Sequence, residues 1–158
     1  MRITLDSPVR DDVAALLDEH LADMYATSPP ESVHALDHSA LLAPGITFWT
    51  ARDDDGTVLG CGALKELPGV DGGAPEAEIK SMRTAASARG RGVASAVLEV
   101  LLAEAVSQGY GRVSLETGSQ DFFATARRLY GRYGFAECGP FGDYVADPNS
   151  VFMTRLLG

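Results

Sequence analysis

Hydrophobic positions along the chain follow two different periods, which predicts a mixture of strands and helices. Segments in which apolar residues alternate, or run together between turn residues, predict seven strands. These strands are expected over residues 2–5, 46–52, 57–67, 76–84, 112–117, 135–138 and 150–157. The second and third strands are joined by Asp-Asp-Asp-Gly, which favours a tight hairpin turn.

Apolar residues spaced three or four apart predict four helices between these strands. The helices are expected over residues 7–27, 36–42, 93–108 and 126–133. Ser7 and Pro8 are expected to cap the first helix, and Gly109 and Gly134 to end the last two. The element order is then β-α-α-β-β-β-α-β-α-β-β. This order predicts a single α/β domain over residues 1–158, with a mixed, mostly antiparallel sheet flanked by helices.

The charge and cysteine content restrict the possible partners. The formal net charge is −9, which argues against nucleic acid or an anionic membrane as a partner. No apolar run approaches the ~20 residues of a membrane span, and the first residues lack the apolar region of a signal peptide. Cys61 and Cys138 form neither a Cys-x-x-Cys pair nor a metal pattern with the three histidines. We therefore expect no metal, and two free thiols in a reducing cytoplasm.

A basic, glycine-rich stretch contrasts with this acidic background. Arg89, Gly90, Arg91 and Gly92 lie where a strand ends and a helix begins, and no Asp or Glu occurs in residues 82–98. Such a turn exposes backbone N–H groups at the positive end of the helix dipole, which favours an anion. A solvated basic loop, or a turn that only packs a strand against a helix, is the alternative.

Two motifs carry a resemblance to a known family. Arg89-Gly90-Arg91-Gly92-Val93-Ala94 fits Q/R-x-x-G-x-G/A, and residues 126–135, Ala-Arg-Arg-Leu-Tyr-Gly-Arg-Tyr-Gly-Phe, fit A-x-x-L-Y-x-x-x-G-F. With both motifs in this order, the chain resembles the GCN5-related N-acetyltransferase (GNAT) superfamily over essentially its whole length. The resemblance implies a GNAT-like fold. It also implies transfer of an acetyl group from acetyl-CoA to an amine of a small molecule or a protein, by direct attack of the amine.

The resemblance further implies where acetyl-CoA would bind. Its pyrophosphate would lie on the backbone N–H groups that begin the second long helix, and its pantetheine arm would pair with the backbone at the end of the preceding strand. The implied cofactor-binding residues are Met82, Arg83, Thr84, Arg89, Gly90, Arg91, Gly92, Val93, Ala94 and Ser95. Phe123 stands where many members have an asparagine that binds the pantetheine arm. We expect that polar contact to be lost, or to shift to Gln120 or Thr125.

Tyr130 and Glu78 are the expected catalytic residues. In the family, the tyrosine that matches Tyr130 commonly protonates the leaving thiolate; packing in the core is the alternative role. The attacking amine arrives as an ammonium, so a base must remove a proton. Glu78 shares one face of its strand with Lys80 and is the candidate base, with a cross-strand ion pair as the alternative role and Glu116 in reserve.

Three questions stay open at the level of the sequence. An acetyl-CoA-binding regulatory or sensor protein without catalysis is the alternative to an enzyme. Transfer of another acyl group is the alternative to acetyl transfer. No motif identifies the acceptor, and a homodimer is left open as an oligomeric state.

Overall fold

The computed structural model describes residues 1–34 and 37–158. In these residues, seven strands form one sheet and three α-helices pack on it. The strands are β1 (Arg2–Leu5), β2 (Ile46–Arg52), β3 (Val58–Leu67), β4 (Glu76–Thr84), β5 (Arg112–Gly118), β6 (Ala136–Cys138) and β7 (Ser150–Leu156). The helices are α1 (Asp11–Thr27), α2 (Val93–Ser107) and α3 (Ala124–Arg132).

The strands lie in the order β1-β2-β3-β4-β5-β7-β6. Neighbouring strands run antiparallel except for β4 and β5, which are parallel. A parallel pair needs a crossover connection, and α2 supplies it. The expected mixed, mostly antiparallel α/β sheet is therefore confirmed.

The parallel pairing of β4 with β5 is short. Residues 77–79 pair with residues 113–115, although β4 continues to Thr84 and β5 to Gly118. The C-terminal ends of the two strands therefore lack a shared ladder, and a gap opens between them. The carboxyl ends of parallel strands are a common place for ligands in α/β proteins.

A helix covers each face of the sheet with its own apolar stripe. The stripe of α2 consists of Val93, Val97, Leu98, Leu101, Leu102 and Ala105. The stripe of α1 consists of Val13, Leu16 and Leu17. Side chains alternate along β4, so Ile79 belongs to the α2 core while Glu78 and Lys80 point to the α1 side of the sheet. Within the described ranges, no helix combines the length and the apolar character needed to cross a membrane.

The expected cap of the first helix is wrong. Ser7 Oγ accepts a hydrogen bond from the Val9 N–H at 3.3 Å, but this bond closes a separate turn. Arg10 comes next with an extended backbone, φ −65° and ψ 143°, so the helix can begin only at Asp11. Half of the Val9 side chain is exposed. The apolar stripe therefore starts at Val13, one turn later than the sequence pattern predicts.

The short helix expected over residues 36–42 is also not found as such. Residues 35 and 36 lie outside the described residues, and the chain then forms a 3₁₀ turn over Ala40–Leu42. The Asp37 carboxylate accepts hydrogen bonds from the Ala40 N–H at 2.8 Å and from the Ser39 hydroxyl at 2.9 Å. This side chain takes up a backbone donor locally and favours a turn over a longer helix.

Candidate active site

A cleft of about 540 Å³ occupies the gap between the ends of β4 and β5. Its walls are the two diverging strands, the beginning of α2, parts of α3 and the C-terminal half of α1. The cleft is lined by all but one of the residues that the family resemblance implies for cofactor binding. The lining residues from that set are Met82, Arg83, Thr84, Arg89, Gly90, Gly92, Val93, Ala94, Ser95 and Phe123. Arg91 is the exception.

The loop that leads into α2 presents free backbone donors to this cleft. Gly90 and Gly92 both have φ +77°, a left-handed conformation that glycine adopts without strain. Among the described residues, no acceptor is hydrogen-bonded to the backbone N–H groups of residues 89–95. These groups surround the positive end of the α2 dipole, where a phosphate would be stabilised. The anion site expected from the sequence stays a prediction, and this loop is where its backbone donors lie.

The three arginines near the loop differ in what they contact. Arg89 keeps 55% of its side chain exposed at the cleft, with Asp23 at 4.0 Å. Arg91 faces away from the cleft and pairs with Asp53 at 3.4 Å. Arg83 has a side chain that is 9% exposed, and its guanidinium pairs with Asp23 on α1. Arg89 is thus the arginine whose charge is free for an anion in the cleft, while Arg83 can contribute through its backbone.

A bulge distorts β4 beside the gap. Ala63 pairs with Lys80 and Cys61 with Arg83, so two residues of β4 lie opposite one residue of β3. Ser81 has φ +56°, which is unusual for a residue other than glycine. The Cys61 thiol donates to the Ser81 carbonyl at 3.2 Å and helps to hold this conformation. Bulges redirect backbone groups out of the ladder, and strain of this kind is common at functional sites.

Tyr130 lies in the second turn of α3 and lines the cleft. The residue is 6% exposed and its ring packs edge-on against Phe135, with the centroids 5.8 Å apart. No described residue hydrogen-bonds its hydroxyl. Burial raises the pKa of the Tyr130 phenol above its usual value of 10, so the group stays protonated at neutral pH. The ring is part of the core and its hydroxyl is still available, so the two roles considered for Tyr130 are compatible.

Glu78 is held by a closed set of hydrogen bonds. Its carboxylate accepts from the Tyr144 hydroxyl at 2.6 Å and from Lys80 Nζ at 3.1 Å. Lys80 also donates to the Tyr144 oxygen at 3.0 Å and to the His34 carbonyl at 3.5 Å. Burial, and the negative charge of Glu78 beside it, raise the pKa of Tyr144. Glu78 does share a face with Lys80 as expected, and the two form an ion pair at 3.1 Å. This pair lies within β4, whereas the alternative role was an ion pair across two strands.

Glu116 projects from β5 into the same cleft and is only partly buried. Burial raises the pKa of its carboxyl from 4.5 to about 7. The charge of Lys80 opposes this rise in pKa, while the charges of Glu78 and Asp147 add to it. A carboxylate with a pKa near 7 can both accept and release a proton at physiological pH. Glu116 therefore remains a candidate for the base.

Phe123 packs against the end of β5. Its ring lies against the backbone of Gly118 at the end of β5, so close that a Cβ there would be within 2.1 Å of a ring carbon. Of the two residues expected to replace the missing polar contact, Thr125 lines the cleft. Gln120 is not among the lining residues, but its side chain donates to Asn149, which lines the cleft, at 3.0 Å.

Some contacts at the site have no local signal in the sequence. His20 on α1 lines the cleft, and burial together with the charge on Arg83 lowers its pKa to about 4, so the imidazole is neutral. The pairing of Arg83 with Asp23 joins residues 60 positions apart. That of Tyr144 with Glu78 joins residues 66 positions apart. Helical spacing placed His20 on α1 but could not show which face of α1 meets the cleft.

Two features indicate the class of protein: the parallel strands β4 and β5 separate at their C-terminal ends, and the N-terminus of α2 points into the gap between them. The model of the Acetyltransferase (GNAT) family matches residues 13–135. The chain belongs to this family and is an acyltransferase.

Individual proteins resemble the chain over nearly its whole length. An "Uncharacterized N-acetyltransferase YsnE" from Bacillus subtilis (strain 168) is 51% identical, covering 99% of this chain and 100% of its own length. An "IAA acetyltransferase" from Azospirillum brasilense is 40% identical, covering 98% and 97%.

Solved structures show the same fold. A putative acyl-CoA N-acyltransferase from Klebsiella pneumoniae has a TM-score of 0.77 at 26% identity, covering 99% of this chain and 97% of its own. An aminoglycoside 6'-N-acetyltransferase in complex with coenzyme A has a TM-score of 0.67 at 15% identity, covering 99% and 97%.

Proposed function

We propose that this protein transfers the acetyl group of acetyl-CoA to a primary amine. The observation that carries the proposal is the row of free backbone N–H groups at residues 89–95, at the mouth of the cleft between β4 and β5. Such a row binds phosphate without a metal or a cluster of lysines. Membership of an acetyltransferase family, and the coenzyme A bound by a protein of the same fold, support the choice of ligand.

The cleft can hold each part of the coenzyme. The pyrophosphate would lie on the N–H groups of residues 89–95, with Arg89 adding charge and the Ser95 hydroxyl a further donor. The pantetheine arm would extend along the end of β4, over Met82, Arg83 and Thr84. The thioester, which is the activated acyl group that the coenzyme supplies, would then face the bulge at Ser81.

Glu116 is the base in this proposal. The acceptor enters as an ammonium, Glu116 takes one proton from it, and the amine nitrogen then forms a bond to the carbonyl carbon. This attack makes the nitrogen cationic again, and it loses its second proton to water, to which Glu116 also returns the first. A backbone N–H at the bulge near Met82 stabilises the charge on the carbonyl oxygen. Glu78 is less suited because its carboxylate already accepts from Tyr144 and Lys80. Its part is to neutralise Lys80 and to hold Tyr144 in place.

Tyr130 is the acid. As the carbon–sulfur bond breaks, its hydroxyl gives a proton to the sulfur, and the phenolate regains a proton from solvent. Burial raises the pKa of Tyr130, so the proton is present when the sulfur needs it. A thiolate is a stronger base in this apolar setting than in water, because burial also disfavours its charge.

The carboxylates of the site favour a cationic acceptor. Lys80 and Arg83 are each paired with a carboxylate, so their charges are already balanced. Glu116 and Asp147 add negative charge on the same side of the sheet. An ammonium is attracted to this environment, and an anionic acceptor is repelled.

The proposal is tested by following release of free thiol from acetyl-CoA with a panel of primary amines. We expect turnover with at least one amine, rising from pH 5.5 to 8 as Glu116 loses its proton. Glu116→Gln should lower kcat/KM by about 10²–10⁴-fold and remove that limb of the pH profile. Glu137→Gln removes an exposed carboxylate on β6 and is the matched control.

Three outcomes would contradict the proposal. Binding of coenzyme A without thiol release for any acceptor would favour a sensor. Release with alcohols alone would favour transfer to oxygen. Release from longer acyl-CoA substrates alone would favour another acyl group.

A further inference from the structure

Two chain segments wall the side of the cleft from which an acceptor would reach Glu116. Leu115, the preceding residue on β5, belongs to the α2 core, so Glu116 points to the α1 side of the sheet. The helix α1 packs on β3 and β4. Beyond it, the cleft is lined by residues from the segment that follows α1 (residues 28–34) and from the β6–β7 loop (residues 139–149).

A short hydrogen bond joins these two segments. The Ser32 hydroxyl donates to the Asp147 carboxylate at 2.6 Å, although the two residues are 115 positions apart. Ser32 is 6% exposed. The bonds from the Ser32 hydroxyl and from the Asn149 N–H lower the pKa of Asp147, so its carboxyl is ionised at neutral pH. A hydrogen bond to an ionised group is among the stronger ones in proteins.

An aromatic contact closes the same wall. The rings of His34 and Tyr144 meet edge to face, with their centroids 5.1 Å apart. Beyond this contact, a second cavity of about 1090 Å³ lies between the β3–β4 and β6–β7 loops. Four residues line both the cleft and this second cavity, and therefore lie between them: His34, Glu78, Lys80 and Tyr144.

The closed wall leaves little space for an acceptor. In the proposed function, the cleft of about 540 Å³ holds the thioester end of coenzyme A together with the acceptor. A pocket for one drug-sized ligand already has about 300–1,000 Å³. A polypeptide would need the wall to open toward the second cavity, and the bond between Ser32 and Asp147 opposes that opening.

We propose that the bond between Ser32 and Asp147 is a clasp that restricts the acceptor to small-molecule amines and excludes the amino groups of polypeptides. The inference rests on the proposed function, because it takes an amine as the acceptor and Glu116 as the base. Ser32 and Asp147 are positioning residues, since they act by holding the two segments together.

The test compares a small amine with the same amino group on a peptide. One pair is alaninamide and a short peptide that begins with alanine. The other pair is butylamine and the lysine side chain of a short N-acetylated peptide. Release of thiol from acetyl-CoA gives kcat/KM for each amine, and the wild type should use a small amine in strong preference to its peptide counterpart.

Ser32→Ala should shift this preference toward the peptide amine by roughly 10- to 100-fold. The loss of a hydrogen bond to a charged group changes the opening equilibrium by about that factor, and only the open form admits the peptide. Asp147→Ala removes the other half of the bond and should repeat the shift. Both amines of a pair use the same base, so the ratio cancels any effect of a variant on proton transfer.

Ser39→Ala is the matched control. It removes another hydrogen bond from a serine to an aspartate, at 2.9 Å, but this bond stays within the turn at Asp37 and joins no separate segments. The variant should keep the wild-type ratio. Melting temperatures show that each variant is folded.

Hydrogen exchange supplies a measurement that needs no turnover. The Ser150 N–H donates to the Asp147 carbonyl, at the end of the β6–β7 loop. Its exchange should be faster in Ser32→Ala than in wild type, and unchanged in Ser39→Ala. Equal exchange in the two variants would refute the clasp, whether or not an amine reacts.

The remaining outcomes separate this inference from the proposed function. If the wild type acetylates peptide amines as well as small ones, or peptide amines alone, the restriction to small amines is wrong while acetyl transfer to an amine stands. An unchanged ratio in Ser32→Ala would likewise refute the clasp alone. If the wild type releases thiol with no amine of any kind, the clasp and the proposed function are both wrong.

Discussion

Two side chains at the site combine burial with a proton that can be exchanged. Burial raises the pKa of the Tyr130 phenol and that of the Glu116 carboxyl, the latter to about 7. Burial thus keeps the phenol protonated at neutral pH and brings the titration of the carboxyl close to neutral pH. In the proposed mechanism, the phenol keeps its proton until the carbon–sulfur bond breaks, and the carboxyl loses its proton near the pH at which an amine must be deprotonated.

Tyr130→Phe should lower kcat by roughly 10²–10⁴-fold and leave the Kd of coenzyme A nearly unchanged. The hydroxyl interacts with sulfur only as negative charge develops in the transition state. The ring keeps its contact with Phe135, so the melting temperature should shift little. Steady-state kinetics and calorimetry separate kcat from Kd. Unchanged kcat, where chemistry limits the rate, would show that Tyr130 is not the acid, and joint loss of activity and stability would indicate a packing role.

Glu116 should also make stability depend on pH. The pKa of its carboxyl is about 7 in the folded protein and about 4.5 when unfolded. Between these values the folded state holds a proton that the unfolded state has lost, so stability falls as pH rises from 4.5 to 7 and stays lower above. Glu116→Gln removes this pH-dependent loss of stability, because glutamine does not ionise. Its melting temperature should exceed that of wild type by roughly 7–13 °C at pH 8 and by little at pH 4.5. An equal difference at both pH values would mean that the pKa of Glu116 is not raised.

Among the secondary-structure elements, the beginning of α2 leaves its backbone N–H groups exposed, and this conformation lowers the stability of the protein. Gly92 precedes the helix with φ +77°, and a Cβ there would meet nothing within 4 Å. The reason for glycine is therefore backbone conformation rather than space. Gly131 within α3 also has open space around it but has no positive φ.

These two glycines give a matched pair of substitutions. Gly92→Ala should destabilise the protein by about 1–2 kcal/mol, because alanine is strained in the left-handed conformation. Gly131→Ala should stabilise it by about 0.5–1 kcal/mol, because alanine loses less entropy in a helix. Denaturant unfolding measures both. Equal effects of the two substitutions would contradict the conformation assigned to Gly92.

Most elements could be predicted from the sequence because each obeys a local rule. The strands β1, β2 and β4 have the expected bounds, since alternation and turn residues delimit them on both sides. The start of α1 could not be predicted, because Ser7 and Pro8 suit a turn as well as a helix cap. Asp37 likewise favours a turn through contacts that a hydrophobic pattern does not register.

For the whole molecule, the sheet determines which residues can meet. The N–H groups of the loop could be predicted from a local motif. The partners of Glu78 could not, because Tyr144 reaches it from a different part of the chain and the β4–β7 arrangement is needed to place them together. The preference for Glu116 over Glu78 depends on those partners and therefore needed the structure.

The same strand order separates the two cysteines. Cys61 lies on β3 and Cys138 on β6, with β4, β5 and β7 between them. Four strand spacings of about 4.8 Å amount to roughly 19 Å, well beyond the reach of a disulfide. We expect two free thiols when the protein is denatured without reductant and titrated with a thiol reagent. A titre of zero, with a mass two hydrogens below that of the reduced chain, would contradict this strand order.

The affinity of coenzyme A for wild type and for Gly92→Val tests the central claim most directly. If the phosphates lie on the N–H groups of residues 89–95, calorimetry should show one coenzyme A bound per wild-type chain. The valine should weaken binding by on the order of 100-fold or more, because a β-branched residue cannot hold the left-handed turn that aims these groups. The melting temperature of the variant should lie well above the temperature of the binding assay, which would show that the variant is still folded. Equal affinity in the two proteins, or no binding to the wild type, would contradict the assignment of this cleft to acetyl-CoA.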